Sequence, residues 1–159
     1  MLSILELRRL AICSVLLAVS GCQTPPAETD AKQSVVAAEV VMLDELPVET
    51  YWALTSSNAT GLDLAQAKAI RLNIDHARLS GDSGCNQFSA GYQVLEKRLS
   101  VGVPAATKRG CQSPVAEIEQ ALFAVLPTLE SASLDGSDLI LHGAGGVTLR
   151  FAPTAATKD

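Results

Sequence analysis

Two cysteines set in glycine-rich and polar surroundings constrain this chain more than any other feature of its sequence. Cys85 lies within Gly81–Tyr92, a stretch that also holds three glycines, one asparagine and two aromatic residues. Cys111 follows downstream, directly after Thr107–Gly110. Glycine allows positive φ or a close backbone approach, and asparagine tolerates the left-handed region and bonds nearby backbone. We therefore expect this stretch to form a tight polar corner.

We predict a disulfide bond between Cys85 and Cys111, because two cysteines in one small exported domain most simply pair with each other. The bond would close a loop of about 26 residues and contribute about 3.5 kcal/mol in the chain-entropy model. Two alternatives remain open at this point. The cysteines could bind zinc with His76 and His142, although the usual ligand spacings are missing. Cys85 could also be a nucleophile, with His76 as the base nearest in sequence.

Residues 1–21 are typical of a lipoprotein signal peptide. Two arginines precede the apolar run Leu10–Val19, which is too short to span a bilayer, a crossing that takes about 20 residues. The run ends in Val-Ser-Gly before Cys22, which is similar to the lipobox of bacterial lipoproteins. Cys22 is therefore expected to be lipidated with acyl chains such as palmitate. The alternative is an ordinary secretory signal with a chance cysteine.

The segment after the lipobox indicates where the protein is held. In Gram-negative lipoproteins an aspartate after the lipidated cysteine often retains the protein in the inner membrane, so Gln23 favours the outer membrane. Residues 22–39 contain two prolines and show no apolar periodicity, which predicts a flexible linker. We expect a folded domain at 40–153, a tail at 154–159, and a location on the periplasmic face of the envelope.

Composition limits the class of protein. Hydrophobic residues make up 48% of the chain and charged residues 18%, which is typical of a globular domain. Aromatic residues are only 4%, so aliphatic side chains must build the core. The formal net charge of −5 argues against a nucleic-acid partner, because a phosphate backbone repels an acidic surface.

Short alternating or β-branched segments bounded by turn residues predict strands. These segments are Tyr51–Thr55, Ala69–Ile74, Arg78–Gly81, Tyr92–Leu95, Arg98–Val101, Ser131–Leu134, Asp138–Leu141 and Val147–Phe151. Glu96-Lys97 and Asp135-Gly136-Ser137 are expected to be hairpin turns, and a frayed tail is expected from Pro153. Many short strands with a single helix predict an α+β domain with an antiparallel sheet.

The helix is predicted after Ser113, which can cap it, with Pro114 in the first helical position. Glu117 and Glu119 lie early in it, where the helix dipole favours negative charge. Pro127 is expected to bend or end it. Its apolar stripe is typical of a core face and consists of Val115, Ile118, Leu122, Val125 and Leu126.

The order of these motifs resembles the META domain family, which includes the heat-inducible bacterial lipoprotein HslJ. The match runs from Gly84-Cys85-Asn86 through an aromatic residue and a glycine to Thr107–Cys111 and the following helix. It covers roughly residues 46–151. Lys108 stands where arginine is usual, with Arg109 beside it, so a role tied to a guanidinium at that position does not carry over from the resemblance. The family-motif residues are Trp52, Gly84, Cys85, Asn86, Phe88, Gly91, Tyr92, Thr107, Lys108 and Cys111.

The resemblance implies a small antiparallel, barrel-like sheet with a helix packed on it. It implies no catalytic residue, cofactor or metal, and a binding or scaffolding role linked to envelope stress. The alternative is a carrier or pilot that binds an acyl chain or a partner peptide between helix and sheet. A hydrolase is a third hypothesis, but the chain has no Gly-x-Ser-x-Gly motif. The expected partners are the membrane, through the anchor, and an envelope protein or lipid, with the chain as a monomer.

Overall fold

The computed structural model describes residues 41–67 and 69–155, all within the compact unit Val36–Asp159. The predicted signal peptide, Cys22, the linker and the last tail residues lie outside the described residues. The described strands are β1 (Val41–Met42), β2 (Tyr51–Ser57), β3 (Arg71–Asp75), β4 (Arg78–Asp82), β5 (Gln87–Leu95), β6 (Arg98–Val101), β7 (Ala105–Ala106), β8 (Leu129–Asp135), β9 (Asp138–Gly143) and β10 (Thr148–Thr154). The helix α1 spans Val115–Val125 and continues into a 3-10 turn at Leu126–Thr128.

The strands form an antiparallel sheet in the order β1-β8-β9-β10-β2-β3-β4-β5-β6, with β7 paired to β5. Strand β6, at one end of this order, contacts β8, near the other end. The sheet therefore curls into a half-barrel with one helix, which confirms the predicted α+β, barrel-like fold.

The core lies inside this curl and is mainly aliphatic, as the low aromatic content predicted. Inward-facing residues of β9 and β10 are almost completely buried, including Leu139, Leu141 and Phe151. Ile118 and Leu122 of α1 belong to the same core cluster. The helix therefore closes the core with the apolar stripe read from its sequence.

The hairpin turns follow from local residue chemistry. Glu96 and Lys97, between β5 and β6, have φ of 50° and 63°, as expected of a two-residue turn whose twist matches that of the strands. Gly136, between β8 and β9, has φ of 62°. Both predicted hairpins are confirmed.

The predicted helix start needs correction. Pro114 is the N-cap and no side chain caps the helix, whereas Ser113 was expected to do so. The Ser113 hydroxyl donates to Glu117 Oε1 at 2.6 Å, within the first turn, and makes no capping bond to a backbone N–H. The helix ends at Val125, and Pro127 lies in the 3-10 turn that follows, as predicted.

Several strand boundaries also differ from the prediction, and β5 begins at Gln87 rather than at Tyr92. The strand expected from Ala69 begins at Arg71, and the tail expected from Pro153 is still part of β10. Pairing of β10 with β9 ends at Phe151, whereas pairing with β2 continues through Thr154. Pro153 therefore has a neighbouring strand on one side only, and proline is tolerated at such an edge.

Candidate functional site

A disulfide bond joins Cys85 to Cys111, with their Cα atoms 6.1 Å apart. Cys85 is 7% exposed and lies in the turn between β4 and β5. Cys111 lies in the irregular segment between β7 and α1. The predicted bond therefore ties that segment to the sheet.

Asn86, beside the bond, is buried and uses every hydrogen-bonding position of its amide. Its Nδ2 donates to Glu119 Oε1 at 2.9 Å and lies 3.1 Å from Cys85 Sγ. Its Oδ1 accepts from Thr107 Oγ1 at 2.8 Å and from the Arg109 N–H at 2.7 Å. One side chain thus links the β4–β5 turn, the segment before the helix, and the helix itself.

Ser83 and Glu119 complete this corner. The Ser83 hydroxyl, which is buried, hydrogen-bonds to Glu119 Oε2 and accepts from the Asn86 N–H at 2.9 Å. Glu119 Oε2 also accepts from the Asn86 N–H at 3.0 Å. Sequence reasoning gave Glu119 only a helix-dipole role and did not single out Ser83. One feature of the sequence could have indicated this role: Glu119 follows Ile118, so it lies at the edge of the buried face of the helix.

Two glycines of the stretch are required by its backbone. Gly84 has φ of +90°, and its N–H donates to Asp82 Oδ1 at 2.6 Å. At Gly81 an added Cβ would lie 1.9 Å from the carbonyl oxygen of Arg71. Gly91 has more room, since its nearest neighbour would be 3.9 Å away.

The remaining motif residues are dispersed. Trp52 is buried in the core, and its Nε1 has no hydrogen-bond partner in the described part of the chain. Phe88 packs edge-on against Phe123, with ring centroids 5.6 Å apart. Lys108 is exposed. Tyr92 lies farther along β5, beyond the corner.

Neither histidine lies beside the cysteine pair. His76 is in the β3–β4 turn, at the end of β4 opposite Cys85. His142 Nε2 lies 2.8 Å from the hydroxyl of Ser133, which is completely buried. Among residues 41–67 and 69–155, no group of three or more His, Cys, Asp or Glu side chains could hold a metal. The structure therefore does not bring together Cys85, Cys111, His76 and His142 as a zinc site, nor Cys85 and His76 as a nucleophile and its base.

A cleft of about 580 Å³ opens at the other end of β4 and β5. Tyr92 lines it, and its hydroxyl donates to the carbonyl oxygen of Asp75 at 2.8 Å. Burial raises the pKa of Tyr92, and the carboxylates of Asp75 and Glu45 raise it further. The cleft therefore combines a phenol with a negative electrostatic field.

No helix in the described ranges is long and apolar enough to cross a membrane.

Within the described residues, the fold and the disulfide region define a class of protein: a small antiparallel half-barrel closed by one helix and one disulfide. The family model of the META domain matches residues 44–156. The chain belongs to the META domain family.

Two solved structures are similar to the chain. One is an NMR structure of a protein from Burkholderia xenovorans, with a TM-score of 0.57 and 23% identity over 69% of this chain and 84% of that one. The other is also an NMR structure, with a TM-score of 0.49 and 21% identity over 65% of this chain and 87% of that one. At this identity, the first likeness supports the fold alone. No curated protein matches the chain.

Proposed function

We propose that the protein is a lipoprotein of the cell envelope whose META domain has a non-enzymatic binding or scaffolding role linked to envelope stress. The observation that carries this proposal is that the polar groups around Asn86 already hydrogen-bond to one another. The polar groups there that most resemble a reactive constellation, those of Ser83, Asn86 and Glu119, are hydrogen-bonded to one another. Both thiols are joined in the disulfide. Such an arrangement supports stabilisation of the domain rather than turnover of a substrate.

The disulfide also supports an oxidising compartment, since such bonds persist outside the cytoplasm. This location agrees with a lipid anchor at Cys22 and, from Gln23, with the outer membrane. Each buried methylene contributes about 0.8 kcal/mol to membrane binding, and one acyl chain anchors only marginally. Two or three chains on Cys22 would hold the domain at the membrane surface almost permanently.

The packing of α1 favours this role over a carrier that encloses an acyl chain between helix and sheet. Ile118 and Leu122 of α1, and Leu126 of the 3-10 turn that follows it, are at most 3% exposed and belong to the same core cluster as the sheet residues. Side chains of the protein itself therefore occupy the helix–sheet interface.

The anchor is tested by intact-mass analysis of protein extracted from envelope fractions of a Gram-negative host, with Cys22→Ala as the matched variant. We expect the mature wild-type chain to begin at Cys22, to carry a diacylglycerol and an acyl chain, and to sediment with the outer membrane. The variant should stay unprocessed. A cleaved but unmodified wild-type chain in the soluble periplasm would overturn the anchor.

The physiological role is tested separately. A strain that lacks the protein should grow less well than its parent under heat or envelope-damaging conditions. Wild-type protein should restore growth, whereas Cys22→Ala should not. Equal growth of the deletion strain and its parent across these stresses would contradict the stress role.

A further inference from the structure

The cleft at the Tyr92 end of the sheet has the dimensions of a binding site. Its volume of about 580 Å³ falls within the range of about 300–1,000 Å³ that is typical of ligand pockets. The loop between β1 and β2 forms one wall, and the second half of β5 forms another. Neither wall contributes to the hydrogen-bonded group of Ser83, Asn86 and Glu119.

Apolar side chains form much of the cleft. Leu46, at 4% exposed, is buried beneath it, and Val48 is half-buried at its side. Leu95 stands at its lip and is 75% exposed. A large aliphatic side chain this exposed, beside further apolar surface, is typical of an interaction site.

The charged residues that line the cleft are acidic. Asp44 and Glu45 are both exposed carboxylates, His76 is the one basic side chain among the described residues that line the cleft, and no lysine or arginine is among them. Burial, followed by the nearby carboxylates of Asp75 and Glu45, raises the pKa of Tyr92, which also lines the cleft. A cationic ligand complements this surface, because opposite potentials steer association and fix register.

We propose that this cleft binds an extended segment of a partner protein that carries lysine or arginine side chains next to aliphatic ones. The ammonium or guanidinium group pairs with Asp44 and Glu45, and the aliphatic neighbour packs on Leu95. The protein's own linker is a poor occupant, since residues 23–39 hold three acidic residues and one basic residue. A second copy is also disfavoured by the formal net charge of −5 on each chain. This inference rests on the proposed binding role and names the class of partner.

Binding is measured with the full chain purified from the envelope and immobilised through a C-terminal tag. The probe is a capped hexapeptide, Gly-Lys-Val-Lys-Val-Gly, and the matched probe carries glutamine in place of both lysines. We expect the lysine peptide to bind more tightly than the glutamine peptide. Its affinity should fall as salt rises from about 50 to about 300 mM, because added ions screen exposed charges.

The variants separate the two halves of the cleft. Combined Asp44→Asn and Glu45→Gln should weaken binding of the lysine peptide about 5- to 10-fold, as expected for two partly exposed ion pairs. Leu95→Ser should weaken binding of both peptides several-fold through lost apolar contact. Glu130→Gln removes an exposed carboxylate on β8, outside the cleft lining, and should leave binding unchanged. All four positions are exposed, so circular dichroism should show every variant folded.

Equal binding of the lysine and glutamine peptides would overturn the proposal in favour of a neutral or acyl ligand. Unchanged affinity in the Asp44 and Glu45 variant would overturn it as well. So would self-association of the chain that Leu95→Ser abolishes, which would make a second copy the occupant. If the chain is unlipidated but still binds the lysine peptide, the proposed anchor is wrong and the proposed binding site stands. If the chain is lipidated but does not bind the peptide, only the proposed binding site is wrong.

Discussion

At the scale of single residues, Asn86 contributes to the fold through its amide rather than through its volume. Its four amide contacts reach the cysteine beside it, the segment before the helix, and Glu119 of the helix. Alanine at this position would leave the Arg109 N–H and the Glu119 carboxylate without this partner in a partly buried setting. A buried group left unsatisfied is destabilising by about 1–3 kcal/mol.

We therefore predict that Asn86→Ala lowers the free energy of unfolding by about 3 kcal/mol. Asn58 offers a matched control: it makes two comparable bonds, to Gly146 O and from the Thr148 N–H, but is exposed. Asn58→Ala should lower the free energy by about 1 kcal/mol. Urea unfolding with the disulfide intact measures both, and equal effects of the two substitutions would contradict the special role of Asn86.

Tyr92 gives the protein a defined response to alkaline pH. Because the pKa of Tyr92 is raised in the fold, the unfolded chain loses this proton first as pH rises. The stabilisation from the neutral phenol is complete below the ordinary value of 10.0 and is lost as pH rises through the higher folded value.

We predict that wild-type protein loses more stability than Tyr92→Phe between about pH 9 and about pH 11.5, because phenylalanine cannot ionise. Unfolding by urea across this range, with tyrosinate absorbance followed in parallel, measures the difference. Tyr51→Phe, at an exposed tyrosine outside the cleft, serves as the control. Parallel pH profiles for wild type and Tyr92→Phe would show that the folded environment does not favour the neutral phenol.

At the scale of elements, the pairing of β3 with β4 depends on a close approach at one glycine. Gly81 lies opposite Leu72 in this ladder, and a Cβ there would collide with the backbone of Arg71. The collision is with main-chain atoms, so a change of side-chain rotamer cannot relieve it. The two strands would have to move apart.

We predict that Gly81→Ala destabilises the domain by about 2 kcal/mol or more, through overpacking and loss of pairing between β3 and β4. Gly110→Ala is the matched substitution, because a Cβ there would meet nothing within 4 Å. It should leave stability within about 0.5 kcal/mol of wild type. Hydrogen exchange of the β3 and β4 amides localises the effect, and equal stability of the two variants would refute the close approach.

The helix and strand boundaries that could be predicted from sequence are those fixed by residues close to them in the chain. The β5–β6 hairpin and the end of α1 follow from a polar turn dipeptide and from Pro127, within a few residues of the feature they fix. The hydrogen bonds of Glu119 to Ser83 and Asn86 were not predicted, because they join positions more than 30 residues apart. The strand role of Pro153 was missed because it depends on where β9 begins and on pairing with β2, which the local sequence does not indicate.

At the scale of the whole molecule, the two ends of the β4–β5 pair differ in character. One end is closed by the disulfide, and its polar groups hydrogen-bond to one another. The other end is an open cleft with exposed carboxylates and an exposed leucine at its lip. The sequence pointed to the end that holds the disulfide, because the cysteines and glycines there form a conspicuous motif. The cleft combines residues from three separate segments, and no single segment marks it.

The disulfide is the feature on which this organisation depends. Cys85 and Cys111 are 26 residues apart, and closing a loop of this length restricts the unfolded chain by about 3.5 kcal/mol. The paired Cys85→Ser and Cys111→Ser variant should lose about this much stability in urea unfolding. A loss below about 1 kcal/mol would contradict the role of the bond as a main constraint on the domain.

The most direct test is alkylation of the denatured, non-reduced protein, followed by peptide mass mapping. We predict that Cys85 and Cys111 take up no label before reduction and that each takes up one label after reduction. Label on either cysteine in the non-reduced protein would contradict the disulfide between Cys85 and Cys111 and its role in constraining the domain.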